Sequence, residues 1–120
     1  MTEPVQVRAL RRDDFAAWKV LWDGYSAFYG REGDTALAHF LYHRSTIQTG
    51  STCYLADLFT LNAARGQGVG KALIHAVYEH AKGLGSPRVY WQTHETNTVA
   101  MRLYNNVAER SGFIVYRQAV

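Results

Sequence analysis

Apolar residues recur at intervals of three and four from Phe15 to Tyr29: Phe15, Trp18, Leu21, Trp22, Tyr25, Phe28 and Tyr29. That period places them on one face of a helix, with Asp13 and Asp14 as caps before it and Gly30 and Gly33 as stops after it. Ahead of it, Val5, Val7 and Leu10 predict a short opening strand. Ala36–Tyr42 reads as a strand and His43–Gly50 as a polar hairpin loop. Thr52–Leu61 reads as a second strand with β-branched and aromatic character. Alternation sets Asp57 on one strand face with Cys53, Leu55 and Phe59.

The pattern then changes period. After the glycine-rich stretch AARGQGVG, a helix is predicted over Val69–Lys82, with Val69, Ala72, Leu73, Ala76, Val77 and Ala81 on one stripe. Gly83, Gly85 and Pro87 stop it. Arg88–Thr93 predicts a strand, Asn97 caps a helix running to about Glu109, Gly112 ends that helix, and Phe113–Arg117 predicts a last strand. The first strand–helix–strand of this half is a βαβ unit with parallel strands and a right-handed crossover, whereas the front half reads as antiparallel. The class is mixed α/β or α+β.

Length and composition narrow the picture. The 120 residues make one domain, 1–120, long enough for a core without staples. A single cysteine, Cys53, excludes a disulfide framework and a cysteine-built zinc site, and it fits a reducing compartment. No apolar run reaches the roughly 20 residues of a membrane span. The N-terminal residues lack the apolar stretch of a signal peptide. A cytoplasmic protein without a membrane partner is expected. The net charge of +3 is scattered, with no basic run beyond Arg11–Arg12. That argues against a nucleic-acid module and suits a phosphate-bearing small ligand.

The turn Arg65-Gly66-Gln67-Gly68-Val69-Gly70-Lys71 lies between a strand and a helix. Glycines there let backbone N–H groups approach an anion, and the helix start adds unpaired donors and partial positive charge. Arg65 and Lys71 flank this diphosphate cradle. It is not a P-loop, because Ala72 follows Lys71 and Arg65 holds the position of the first glycine. It is not a dinucleotide fingerprint, because the glycines run GxGxG.

The spacing of Arg65, Gly68 and Gly70 is R-x-x-G-x-G, and Asn97, Ala100, Tyr104, Gly112 and Phe113 follow as N-x-x-A-x-x-x-Y…GF. With these motifs, over about Thr52 to Tyr116, the chain resembles the GNAT superfamily of acetyl-CoA-dependent N-acetyltransferases. Within it, the branch of histone, polyamine and amino-acid acetyltransferases is the most similar. The resemblance implies a mixed sheet whose central parallel strands splay into a V that takes acetyl-CoA as cosubstrate. It implies pantetheine pairing along Leu58, Phe59 and Thr60, pyrophosphate on Arg65, Gly66, Gln67, Gly68, Val69, Gly70 and Lys71, and a pantetheine contact from Asn97. Members of the family carry a second helix and a further strand in the front half. Here only Gly30–Thr35 fills that interval, so a segment absent from the chain near residues 30–35 is expected.

Acetyl transfer to an amine needs a deprotonated nitrogen, a donor for the developing oxyanion and an acid for the thiolate. Asp57, His94 and Glu95 are the residues placed to bind and deprotonate an ammonium. For Asp57 the competing reading is a structural hydrogen bond, and for His94 a loop histidine bonded to backbone. His39 and His43 read as plain strand histidines, and no metal site is expected. By periodicity Tyr104 is a core aromatic, and the resemblance makes it the acid for the thiolate and a cofactor contact. Cys53 has no partners for a nucleophile's role. The expected activity is direct acetyl transfer to a small cationic amine, meaning a polyamine, an amino acid or a peptide lysine. A noncatalytic CoA-binding domain is the alternative. A homodimer through the C-terminal strand completes the expectations, since that strand carries few charges to blunt an edge.

Overall fold

A computed structural model describes residues 6–16, 18–19, 36–47, 49–60, 66 and 68–120. Arg12–Asp14 forms a 3-10 turn, and Phe15, Ala16, Trp18 and Lys19 after it are helical. The expectations for Val5, for the rest of the first helix and for the interval near residues 30–35 fall outside the described residues. Val7 and Leu10 are not in a strand. The regular elements are β1 (Ala36–His43), β2 (Thr52–Thr60), α1 (Val69–Gly83), β3 (Val89–Tyr90) and α2 (Thr98–Val107).

The sheet order is β1-β2-β3, with β1 antiparallel and β3 parallel to β2. This is the mixed sheet expected from a hairpin followed by a βαβ unit. Its register contains one irregularity. Phe40 pairs with Leu55, but the neighbouring His39 pairs with Asp57, so Ala56 is an extra residue bulging from β2. A one-residue insertion reverses the faces beyond it. Cys53, Leu55 and Leu58 pack with Ala38, Phe40 and Tyr42 against α1. Phe59 joins Leu37 and Trp18 in a second cluster. Asp57, paired with His39, therefore shares a face with Phe59 but not with Cys53 and Leu55, correcting the simple alternation.

α1 covers the core with Val69, Ile74, Val77 and Ala81. Ile74 lies outside the stripe read from the sequence, yet it is fully buried, because the helix is contacted by both the sheet and α2. At its end Ser86 N–H donates to Ala81 O and Gly85 N–H to Lys82 O, a Schellman arrangement that needs Gly85 at φ 73°. The Ser86 hydroxyl then donates to Ser51 O at 2.6 Å, tying the end of the crossover to the start of β2. α2 leans on α1 through the Tyr78 hydroxyl, which donates to Val107 O at 2.8 Å.

Two further expectations about strands are corrected. The strand over Arg88–Thr93 contracts to Val89–Tyr90, because the chain leaves β2 from Trp91 onward. The strand over Phe113–Arg117 does not form: residues 109–120 have no regular structure, and Phe113, Ile114, Val115 and Tyr116 are exposed. Apolar, β-prone residues form a strand only beside another edge, and none of the described strands meets them. α2 ends at Val107, before Glu109, where its packing against α1 stops.

Candidate active site

The parallel ladder joins β2 and β3 only at Cys53–Val89 and Tyr54–Tyr90. Beyond it the two chains diverge, and the opening is a cleft of about 220 Å³ lined by Leu55, Ala56, Asp57, Leu58, Trp91, Gln92 and Tyr104. Past that ladder, Leu55, Ala56, Asp57 and Leu58 of β2 line the opening, with no strand partner on that side among the described residues. This is the V-shaped splay expected of the central parallel strands. The bulge at Ala56 lies in its wall, and it is the reason Asp57 and Leu58 both border the cleft while belonging to different faces.

Tyr104 comes to the cleft from α2. Its ring meets Trp91 edge to face with centroids 5.4 Å apart. Its hydroxyl makes no hydrogen bond among the described residues. Burial pushes the phenol above its ordinary value, so it keeps its proton and can donate. Asp57 accepts a hydrogen bond from His39, Nδ1 to Oδ2 at 3.2 Å, and both side chains are about one-third exposed. The sequence reads His39 as a plain strand histidine, whereas the register sets it directly opposite Asp57. The signal was a cross-strand pairing that no local pattern carries. Gln92 was missed as well.

The other candidate residues divide. Leu58 borders the cleft, whereas Phe59 packs on Leu37 and Thr60 pairs with Ala36 at the far end of β2. His94 and Glu95 stand in an exposed turn outside the cleft lining. Thr96 donates both its hydroxyl, at 2.7 Å, and its N–H, at 3.2 Å, to His94 Nδ1. Asn97 occupies the N-cap position of α2, yet its side chain makes no capping bond. Its amide instead donates to the Thr93 hydroxyl at 3.2 Å, a correction to its expected capping role. Cys53 is fully buried, and burial raises its thiol, which suits a core residue and not a nucleophile.

At the glycine turn, Arg65 and Gln67 lie outside the described residues. Gly66 and Gly68 have φ of 80° and 78°, and a Cβ on either would meet no atom of the described residues within 4 Å. Their need is conformational, since the left-handed region penalises any side chain. Gly70 differs: a Cβ there would lie 3.2 Å from Leu103 Cδ2, so this glycine lets α1 approach α2. Helix geometry leaves the N–H groups of Val69, Gly70 and Lys71 without intrahelical acceptors, and no acidic side chain occupies that first turn. Lys71 is exposed beside them. These donors, the positive end of α1 and the open space above Gly66 and Gly68 fit a diphosphate. Among the described residues no group of three or more metal-ligating side chains occurs, and no helix is long and apolar enough to cross a membrane.

Comparison with known proteins gives the same outline. A family model described as Acetyltransferase (GNAT) family matches residues 2–108. The D-amino-acid N-acetyltransferase of Saccharomyces cerevisiae is 38% identical over 99 residues, 82% of this chain and 61% of that protein. The chain therefore spans about three-fifths of that relative's length. The structure of AAC(6')-Iy with the bisubstrate analogue CoA-S-monomethyl-acetylneamine matches at a TM-score of 0.79 and 15% identity, covering 94% of this chain and 96% of the other. The ribosomal-protein-alanine N-acetyltransferase of Brucella melitensis biovar Abortus 2308 matches at a TM-score of 0.64 and 15% identity, covering 72% and 63%. At these identities the two structures show a shared fold.

Proposed function

The chain belongs to the acetyltransferase (GNAT) family, and we propose that it moves an acetyl group from acetyl-CoA to the nitrogen of a primary amine by direct transfer. The observation that carries this reading is the cleft between the diverging β2 and β3, with a carboxylate, Asp57, and a phenol, Tyr104, in one lining. When bound, acetyl-CoA supplies the activated acyl group. The first turn of α1 with Gly66 and Gly68 would hold its diphosphate, and the backbone of β2 at Leu58 would pair with its amide-bearing arm.

Asp57 receives the acceptor as an ammonium and takes a proton from it, directly or through a water. The freed nitrogen attacks the thioester carbonyl carbon, a C–N bond forms, and the C–S bond breaks. The backbone N–H near Leu58 would donate to the developing oxyanion. Tyr104 gives its proton to the departing sulfur, and the proton shed by the new amide nitrogen restores the phenol. An alkyl ammonium has a pKa near 10.4, so the acceptor arrives charged; the negative charge of Asp57 attracts it, and the carboxylate then passes the proton it has taken to solvent.

Among cationic acceptors, the likeness to a D-amino-acid N-acetyltransferase favours the α-amine of an amino acid over a polyamine or a peptide lysine. The test is release of CoA thiol from acetyl-CoA over a panel of D- and L-amino acids, polyamines, lysine peptides and anionic amines. Turnover confined to anionic or neutral amines would sink the cationic-acceptor reading. Binding of acetyl-CoA without turnover of any amine would leave a CoA-binding domain. The same reading includes a dimer, supported by the exposed Phe113–Tyr116 segment, whose backbone a second copy would satisfy. Sedimentation at several concentrations tests it, and an unchanging monomer rejects it.

A further inference from the structure

Trp18, His39 and Asp57 form one hydrogen-bonded chain on the side of the sheet opposite α1. The Trp18 indole N–H donates to His39 Nε2 at 2.8 Å, and His39 Nδ1 lies 3.2 Å from Asp57 Oδ2. An indole nitrogen can only donate. His39 Nε2 must therefore offer its lone pair, and the ring's one proton sits on Nδ1, from which it is donated to the carboxylate. A cationic imidazole would set an N–H of its own against the indole N–H, so the arrangement selects the neutral ring.

The structure assigns His39 as the positioning residue of Asp57, holding one carboxylate oxygen so that the other is presented to the acceptor amine. This rests on the acetyltransferase reading, in which Asp57 receives the ammonium. Three observations support it. His39 and Asp57 are direct partners in the β1–β2 ladder, so the backbone register fixes their separation. Asp57 accepts no other hydrogen bond among the described residues, which leaves Oδ1 for a ligand, and the residue borders the cleft. The Trp18 and His39 rings also meet, with centroids 6.0 Å apart, so the imidazole is oriented from its far side. A carboxylate one-third exposed and without such a hold would sample several rotamers, and catalytic groups lose rate steeply when misplaced. Keeping His39 neutral has a second effect. The full negative charge of Asp57 stays available to an ammonium, where an imidazolium beside it would cancel that charge.

The test has a spectroscopic arm and a kinetic arm. In the ¹⁵N-labelled full chain near neutral pH, His39 should show a protonated Nδ1 and an unprotonated Nε2, with the resonances assigned through their loss in His39→Asn. A protonated Nε2, in either the other tautomer or the imidazolium, overturns the inference. With an amine that turns over, His39→Ala should lower kcat/KM for that amine by up to about 10²-fold, the scale of an ångström's misplacement, with KM for acetyl-CoA unchanged. His39→Asn, whose amide can donate to the same oxygen, should recover to within about threefold of the unaltered protein under that account. The double variant His39→Ala/Asp57→Asn should be no slower than Asp57→Asn alone, because the two act as one unit. Equal losses in the Ala and Asn variants at equal melting temperature overturn the inference. If Asp57→Asn is slow while His39→Ala is not, the positioning role alone falls. If Asp57→Asn keeps full rate, the reading of Asp57 as the amine's receiver fails instead.

Discussion

Trp91 and Tyr104 meet edge to face, their ring planes 71° apart, at the point where the chain after β3 has left β2. The contact fixes the Tyr104 ring at the cleft while leaving its hydroxyl without a hydrogen bond among the described residues. The hydroxyl is not a buried atom in need of a partner, so it adds little to the fold. Tyr104→Phe should therefore cost little stability, within about 0.5 kcal/mol. Its kcat should fall by about 10²–10⁴, the usual contribution of a positioned acid. Thermal melting and steady-state kinetics on the same preparation check both halves. Lost stability with an intact rate would return Tyr104 to the core.

Gly68 gives a backbone test at the glycine turn. Its φ of 78° is left-handed and the space beside it is open, so the cost of a side chain there is conformational. Gly68→Ala should lose about 1–2 kcal/mol, and Gly68→Asn less, because asparagine tolerates that region. If the turn cradles a diphosphate, Gly68→Ala should also raise KM for acetyl-CoA while sparing KM for the amine. Denaturant unfolding and two-substrate kinetics measure these effects.

Ile74 is fully buried where α1 meets the sheet and α2. Ile74→Ala leaves a cavity with neighbours on every side and should cost about 2–5 kcal/mol in chemical denaturation. Leu84→Ala, at an exposed position just beyond the same helix, should stay within about 0.5 kcal/mol.

Burial raises Tyr104, Tyr78, Tyr42 and Cys53 above their ordinary values, which are 10.0 for the phenols and 9.0 for the thiol. In the window between the unfolded and folded values, the folded state holds protons that the unfolded chain has released. Stability then falls as pH rises. The melting temperature should be flat with respect to these groups below about pH 8 and should decline from about pH 9 upward. Tyr78→Phe should lose about 1 kcal/mol at neutral pH with its bond to Val107 O, and its alkaline decline should be shallower. An unchanged slope would show that Tyr78 does not titrate in that window.

Much of the fold is local enough to read from residue order. The glycines between β2 and α1, the period of α1 and the glycine after it each act within a few residues, through allowed φ values and hydrogen bonds that close inside one helix turn. The same reach covers Asn97 at the start of α2 and the placement of Tyr104 on that helix. Asp57 could be named from its position in an apolar strand, but its face could not. That face follows from the bulge at Ala56, and a bulge is defined only when a second strand is laid beside the first. His39 became Asp57's partner for the same reason, across 18 residues of chain. Phe113–Arg117 shows the converse. Its residues favour a strand, yet a strand's hydrogen bonds belong to two chains at once, and the described fold brings no edge to it. What residue order determined were the structures closed within a turn of chain. Tertiary structure decided the pairings between distant segments, because which N–H meets which C=O depends on where both segments lie.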